Sequence, residues 1–140
     1  MQTGAASQRR QRELVAANLL LVVLLAVHSL DHVLRQSDPV PAEAAVAGLA
    51  GLGTAVVCLV LAIAGSRWAP TATALVGLAT PIGFVAIHVL PEWSVFSQPY
   101  ADIDVDALSW IGMLVPAIAA AGVGAIGLRA ARSQQFSAAS

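Results

Sequence analysis

Four stretches of about 20 apolar residues dominate this 140-residue sequence and limit what it can fold into. A bilayer core of about 30 Å is crossed by roughly 20 residues of α-helix, so each stretch is long enough to span a membrane. The stretches cover about residues 13–34, 43–64, 71–90 and 106–128. Their apolar residues are continuous instead of alternating, which disfavours a membrane β-barrel. We therefore expect an all-α membrane protein, built as a bundle of four transmembrane helices.

The composition agrees with a chain that is solvated by lipid. Hydrophobic residues make up 58% of the sequence and charged residues only 11%, whereas a soluble domain carries about 25% charged residues. The net charge of −1 leaves no basic stripe to neutralise phosphates, so a nucleic-acid partner is not expected. The single cysteine, Cys58, lies in an apolar run and is expected to be a small buried hydrophobe.

The distribution of arginines predicts the orientation. Basic residues concentrate in cytoplasmic loops, and in a four-span chain only Arg35 falls on the opposite side from the rest. The other side carries Arg9, Arg10, Arg12, Arg67, Arg129 and Arg132. Both termini are therefore predicted to be cytoplasmic. Because every basic residue is arginine and Ala, Gly and Val are abundant, we expect a bacterial inner-membrane protein from a GC-rich genome.

The two ends of the sequence are short, polar and rich in small residues. We expect residues 1–12 and 131–140 to be disordered cytoplasmic tails around a transmembrane domain of residues 13–130. Inside that domain, Pro81 and Pro116 each remove one helical hydrogen bond, which leaves the carbonyls of Gly77 and Gly112 without their usual partner. Kinks are expected at both positions.

Small residues recur at four-residue spacing on two of the spans, a pattern that allows close helix contact in lipid. Such faces serve packing within the bundle, homo-oligomerisation or assembly into a larger membrane complex, and the sequence does not separate these. The second span carries Ala47, Gly51 and Ala55, and the fourth carries Ala117, Ala121 and Ala125, with Ala120 and Gly124 alongside.

Histidines and carboxylates gather at the ends of the first and third spans. His28 and His32 are one helical turn apart, with Asp31 in the same arc. His88 and Glu92 share a face only if the third helix continues, and Pro91 disfavours helical geometry at the residue before it. If the helix stops earlier, Glu92 lies in the long connection 91–105, which we expect to cap the outer end of the bundle.

The topology brings these residues to one side of the membrane. The first and third spans run in the same direction, so their C-terminal ends emerge on the same, extracytoplasmic, face. Neutral imidazoles and carboxylates are ligands that suit a divalent transition metal such as Zn, Cu or Fe. We therefore predict a metal site there, formed by His28, Asp31, His32, His88 and Glu92.

Three other interpretations remain open at this point. A b-type haem could use His88 with His28 or His32 as axial ligands. Asp31 could instead form a helix-surface ion pair with Arg35, four residues on, in a structural or accessory membrane subunit without a cofactor. The third is a metal-dependent membrane enzyme in which the ion activates a water molecule.

Overall fold

The computed structural model describes residues 2–139 and contains four α-helices. These are α1 (Gln2–Leu34), α2 (Ala42–Ile63), α3 (Ala69–His88) and α4 (Ala107–Ala139). Each is long and apolar enough, by length and composition, to cross a membrane. The prediction of an all-α bundle of four membrane-span-like helices is therefore confirmed.

The first and last helices, α1 and α4, are longer than the sequence predicted. α1 begins at Gln2 and α4 ends at Ala139, so the segments expected to be disordered are helical throughout residues 2–12 and 131–139. Ala, Gln and Arg are good helix formers, and lengthening an existing helix needs no new nucleus. An ion pair of 3.0 Å between Arg9 and Glu13, one turn apart, lies on this extension. Met1 and Ser140, the ends of the predicted tails, lie outside the described residues.

Successive helices run in opposite directions. Near one end of the bundle, Asn18 of α1 donates a hydrogen bond of 2.8 Å to Thr73 of α3. At the other end of the same two helices, the rings of His28 and His88 are 5.3 Å apart. α1 and α3 therefore run in the same direction, as the sequence predicted. We call the end of the bundle that holds residues 28–44 and 84–113 the histidine end, and the opposite end the arginine end.

A tight turn joins α2 to α3 at the arginine end. Gly65 has a φ of 64°, the left-handed conformation that residues with a side chain rarely adopt. The Gly65 N–H donates to Ala62 O at 3.1 Å and the Ser66 N–H to Leu61 O at 3.0 Å, which is the hydrogen-bond pair of a Schellman motif. The Gln11 amide of α1 donates to the exposed carbonyl of Ile63 at 3.0 Å. The end of α2 is thus satisfied by its own turn and by a neighbouring helix.

Glycine allows α3 and α4 to approach at backbone distance. A Cβ added to Gly77 would lie less than 3.0 Å from the backbone of Ala120 and Gly124, and one added to Gly127 would clash with the backbone of Ala74. The contact face of α4 therefore includes Ala120, Gly124 and Gly127. It is not the Ala117/Ala121/Ala125 row, in which Ala121 and Ala125 are exposed. In lipid, such close approach replaces the hydrophobic effect as the source of helix association.

Two features of the interior follow the sequence. Cys58 is buried, as expected for a small hydrophobe. Pro81 and Pro116 lie inside α3 and α4, both of which continue through them.

The close α3–α4 contact leads to a stability prediction. Gly127→Ala should lower the free energy of unfolding by about 1–3 kcal/mol, because the added methyl group must push two helix backbones apart. Gly122→Ala, on the same helix, is the matched control, since a Cβ there meets no atom within 4 Å. Thermal unfolding in detergent measures both, and equal midpoints for the two variants would contradict the contact.

Candidate metal centre

Three histidines converge at the histidine end. α1 presents His28 and His32 one turn apart, and α3 ends at His88. Their ring centroids are 4.6 Å (His28–His32), 5.3 Å (His28–His88) and 5.2 Å (His32–His88) apart. One nitrogen from each ring lies within 4.8 Å of the other two. The structure therefore brings together three of the five predicted ligands in a group that can hold a metal ion.

The nitrogens are spaced as ligands of one ion would be. His28 Nε2 and His32 Nε2 are 3.2 Å apart. Two nitrogens bound tetrahedrally to one zinc ion at 2.0–2.1 Å are about 3.3 Å apart. Without a metal, a single N–H shared by the two imidazoles satisfies the pair, and an ion would take the place of that proton.

The remaining ring nitrogens of two histidines face oxygen acceptors. His32 Nδ1 is 2.7 Å from the side-chain oxygen of Gln36, and His88 Nδ1 is 3.3 Å from the backbone oxygen of Gln98. Because an oxygen of this kind accepts, each Nδ1 carries the hydrogen and each Nε2 keeps a free lone pair. Metal-binding histidines commonly donate their second N–H to a carbonyl in this way. The local contacts thus prepare both Nε2 atoms to bind a cation.

The third histidine faces a carbonyl that proline has released. The backbone carbonyl of Gly112, four residues before Pro116, lies near His28. Within the described part of the chain, His28 Nδ1 has no hydrogen bond of its own. His28 is packed by Phe84, whose ring is 4.7 Å away. Its orientation is therefore set by packing against Phe84 and by the contact of its Nε2 with His32.

Asp31 supports the cluster from outside it. Its carboxylate pairs with Arg35 Nε at 2.9 Å and accepts a hydrogen bond of 3.5 Å from the Gln36 amide. The predicted Asp31–Arg35 ion pair is therefore present, and Asp31 is not one of the three residues in ligand range. The Gln36 amide also donates to the Tyr100 hydroxyl at 3.2 Å. Gln36 thus links His32 to both Asp31 and Tyr100.

Glu92 lies apart from the histidines. α3 ends at His88, two residues before Leu90, which is where Pro91 disfavours helical geometry. Glu92 follows in the connection between α3 and α4 and is exposed. The face shared by His88 and Glu92 would have required a longer helix. The structure therefore does not place Glu92 in the histidine group.

The connection between α3 and α4 folds back over the cluster, as predicted for a cap. The Gln98 N–H donates to Ile87 O and the Tyr100 N–H to His88 O, both at 2.9 Å. The Tyr100 ring is 4.6 Å from His88 and 5.3 Å from Trp110. Ser97, Gln98 and Tyr100 are buried. The cap therefore covers the cluster with one aromatic ring and fixes the end of α3.

Charged contacts hold the cap and α4 in place. Asp106 accepts the Leu108 and Ser109 N–H groups at 2.9 and 3.1 Å, the hydrogen bonds of an N-cap residue at the start of α4. Its other oxygen pairs with Arg35. The Ser109 hydrogen bond, together with Arg35, lowers the pKa of Asp106. Arg35 therefore bridges Asp31 on α1 to the start of α4.

Gln36, Gln98 and Tyr100 were not among the residues that the sequence predicted for this site. Gln36 had a usable signal, because it follows His32 by four residues, a spacing that can bring two side chains together at the end of a helix. Gln98 and Tyr100 carry no such periodic signal, because their position depends on how the connection folds.

The donor arrangement suits a single ion better than haem. Two axial imidazoles must lie on opposite sides of a macrocycle. Here His32 and His88 stack at 5.2 Å, and all three rings contact one another directly. A macrocycle does not fit between rings in contact.

The protonation of Tyr100 can be tested by titration. Burial raises the pKa of Tyr100 to about 12, and the charge of Asp31 adds to this shift, whereas the hydrogen bond from Gln36 opposes it. Because the folded state favours the protonated phenol, Tyr100 contributes its full share of the stability of the fold below about pH 10. That contribution is lost as the pH rises through 12. Absorbance at 295 nm reports on this residue alone, because the chain has one tyrosine.

We expect a folded-state midpoint of about 12 and a midpoint near 10 in denaturant. Tryptophan fluorescence should be followed in parallel to show that the protein remains folded. A midpoint near 10 in the folded protein would contradict the buried phenol.

No protein-family model matches the chain, and no curated protein or solved structure is significantly similar to it. The geometry of the histidine end is therefore the basis on which a function can be proposed.

Proposed function

We propose that this chain is a small integral membrane protein that binds one divalent transition-metal ion through His28, His32 and His88. The observation that carries the proposal is the convergence of three imidazoles whose nitrogens lie within 4.8 Å of one another. Oxygen acceptors at Nδ1 of His32 and His88 support it, because they leave Nε2 free to bind.

The donor set favours Zn, Cu or Fe. Imidazole suits these metals, and the one cysteine, Cys58, is too isolated to form a thiolate site. Three histidines leave one coordination position of a tetrahedral ion for another ligand. The negative charge of Asp31, linked to His32 through Gln36, favours a cation at this place. We keep Asp31 and Glu92 as predicted direct ligands that the experiment below tests.

The proposed orientation places the metal on the extracytoplasmic side of a bacterial inner membrane, with both termini in the cytoplasm. The arginine distribution supports this, because the single exception, Arg35, is held at the histidine end by Asp31 and Asp106. A metal-binding or accessory role in the cell envelope follows from this placement.

Metal binding can be measured directly on the purified protein. A streptavidin-binding tag avoids the extra histidines of a polyhistidine tag. Wild-type protein, stripped with chelator and reloaded with zinc, should hold one zinc ion per chain by elemental analysis. His28→Ala, His32→Ala and His88→Ala should each lose it. Gln36→Leu should weaken zinc binding by about 10- to 100-fold, because His32 loses its Nδ1 partner.

Carboxylate variants complete this experiment. Asp102→Asn, an exposed change on the cap, is the matched control and should keep its zinc. Loss of zinc in Asp31→Asn or Glu92→Gln would assign that carboxylate as a ligand. Equal and negligible zinc in wild type and in the triple alanine variant would sink the proposal in favour of a cofactor-free accessory subunit.

The orientation has an independent test. Green fluorescent protein fused after Ser140 should fluoresce, because it folds in the cytoplasm, and alkaline phosphatase at the same place should be inactive. Phosphatase fused after Asp102 should be active. The opposite pattern would reverse the membrane orientation without affecting the metal site.

A further inference from the structure

A cavity of about 520 Å³ begins at the three histidines and runs between α1, α2 and α3. His28, His32 and His88 line one end of it. Beyond them the walls are apolar or small, with Gly48 and Gly51 from α2 and Gly83 from α3. The predicted small-residue row of α2 therefore forms, in part, the wall of a cavity.

The cavity opens on the side of the bundle that would face lipid. Gly48, Gly51 and Thr54 line it and are exposed, although they lie in the middle of a membrane-span-like helix. A Cβ added at Gly48 or Gly83 would meet no atom within 4 Å, so the space beside these glycines is open. A molecule would therefore reach the histidines from the bilayer instead of from water.

The polar groups of the cavity lie mainly at its histidine end. The hydroxyls of Ser29, Thr54 and Thr80 each donate to a carbonyl of their own helix, at 2.7–2.9 Å, so their hydrogens are already used. Gln98 stands in the wall beside His88, and in the described part of the chain both atoms of its buried amide lack a hydrogen-bond partner. A polar ligand at this end could therefore form hydrogen bonds with the Gln98 amide.

The lining also limits the charge of a ligand. None of the described lining residues is Arg, Asp or Glu. An apolar wall without a counter-ion makes burial of a charged group costly. Among the lining side chains a phosphate headgroup therefore finds no charged partner, whereas an uncharged hydroxyl group finds the Gln98 amide and the imidazoles.

We propose that this cavity binds a lipid-soluble amphiphile with an uncharged hydroxyl head, of the phenol or quinol type. Its oxygen reaches the open coordination position of the metal, and its apolar tail lies along Gly48 and Gly51 of α2. The inference rests on the proposed metal site and names the class of ligand that would meet the ion there. In metal-free protein, the Nε2 atom of His88 accepts a hydrogen bond from the same hydroxyl group.

The probe for this proposal is 4-octylphenol carrying a diazirine in its alkyl chain. Zinc-loaded wild-type protein in nanodiscs is photolabelled, and the labelled residues are mapped by mass spectrometry. We expect labels within 44–54 of α2 and 76–88 of α3. Unlabelled 4-octylphenol should compete at about tenfold lower concentration than octylbenzene, which has the same tail but no hydroxyl group.

Two glycine variants on one helix form a matched pair. Gly48→Leu should fill the cavity and reduce labelling about tenfold, whereas Gly53→Leu, which is exposed and does not line the cavity, should leave labelling unchanged. Both variants should bind zinc as wild type does, which shows that they fold.

The outcomes separate this inference from the metal proposal. Equal competition by octylbenzene, or labels outside the cavity, would overturn it, because the cavity would then be an apolar groove filled by lipid chains. Failure of the metal proposal would appear instead as absent zinc in wild type. Site-specific labelling and the phenol preference would then persist through the imidazoles alone.

Discussion

Polar groups inside an apolar helical bundle need partners, and this constraint organises the histidine end. Neither a lipid acyl chain nor a leucine side chain can hydrogen-bond to an imidazole. His32 and His88 therefore take their Nδ1 partners from Gln36 and from the Gln98 backbone. Those partners exist only because α1 continues past His32 and because the cap folds back onto α3. The cluster, the cap and the end of α1 thus depend on one another.

The sequence predicted the fold well because the bilayer imposes a length and a hydropathy that can be counted. Counting apolar stretches of sufficient length predicts four membrane-span-like helices. With four such helices, α1 and α3 run in the same direction, which brings the three histidines together. The termini differed, because Arg9 and its neighbours are polar yet good helix formers, and polarity alone does not distinguish a helix from a tail. The sequence offered two neighbouring rows of small residues on α4, and periodicity alone did not show that the row with Ala120 and Gly124 contacts α3.

The site was predicted in part, for reasons that concern side-chain direction. His28, His32 and His88 converge because helix periodicity and topology suffice to place them. Asp31 is equally close to the histidines in sequence, but its carboxylate forms an ion pair with Arg35, which also pairs with Asp106. The predicted position of Glu92 beside His88 required α3 to continue past His88, but the helix ends at that residue. Gln98 and Tyr100 belong to an irregular segment, whose path no periodic pattern encodes.

Pro116 has a consequence beyond the shape of α4. A proline in a helix leaves one backbone carbonyl without its usual hydrogen-bond donor. In the hydrocarbon core of a bilayer no water molecule replaces that donor, so the carbonyl remains a strong acceptor. Here the carbonyl that Pro116 leaves is that of Gly112, and it lies near His28 on another helix. Restoring the regular helix at this position would return that oxygen to its own backbone. The irregularity of α4 thus leaves a backbone acceptor near α1 that no side chain provides.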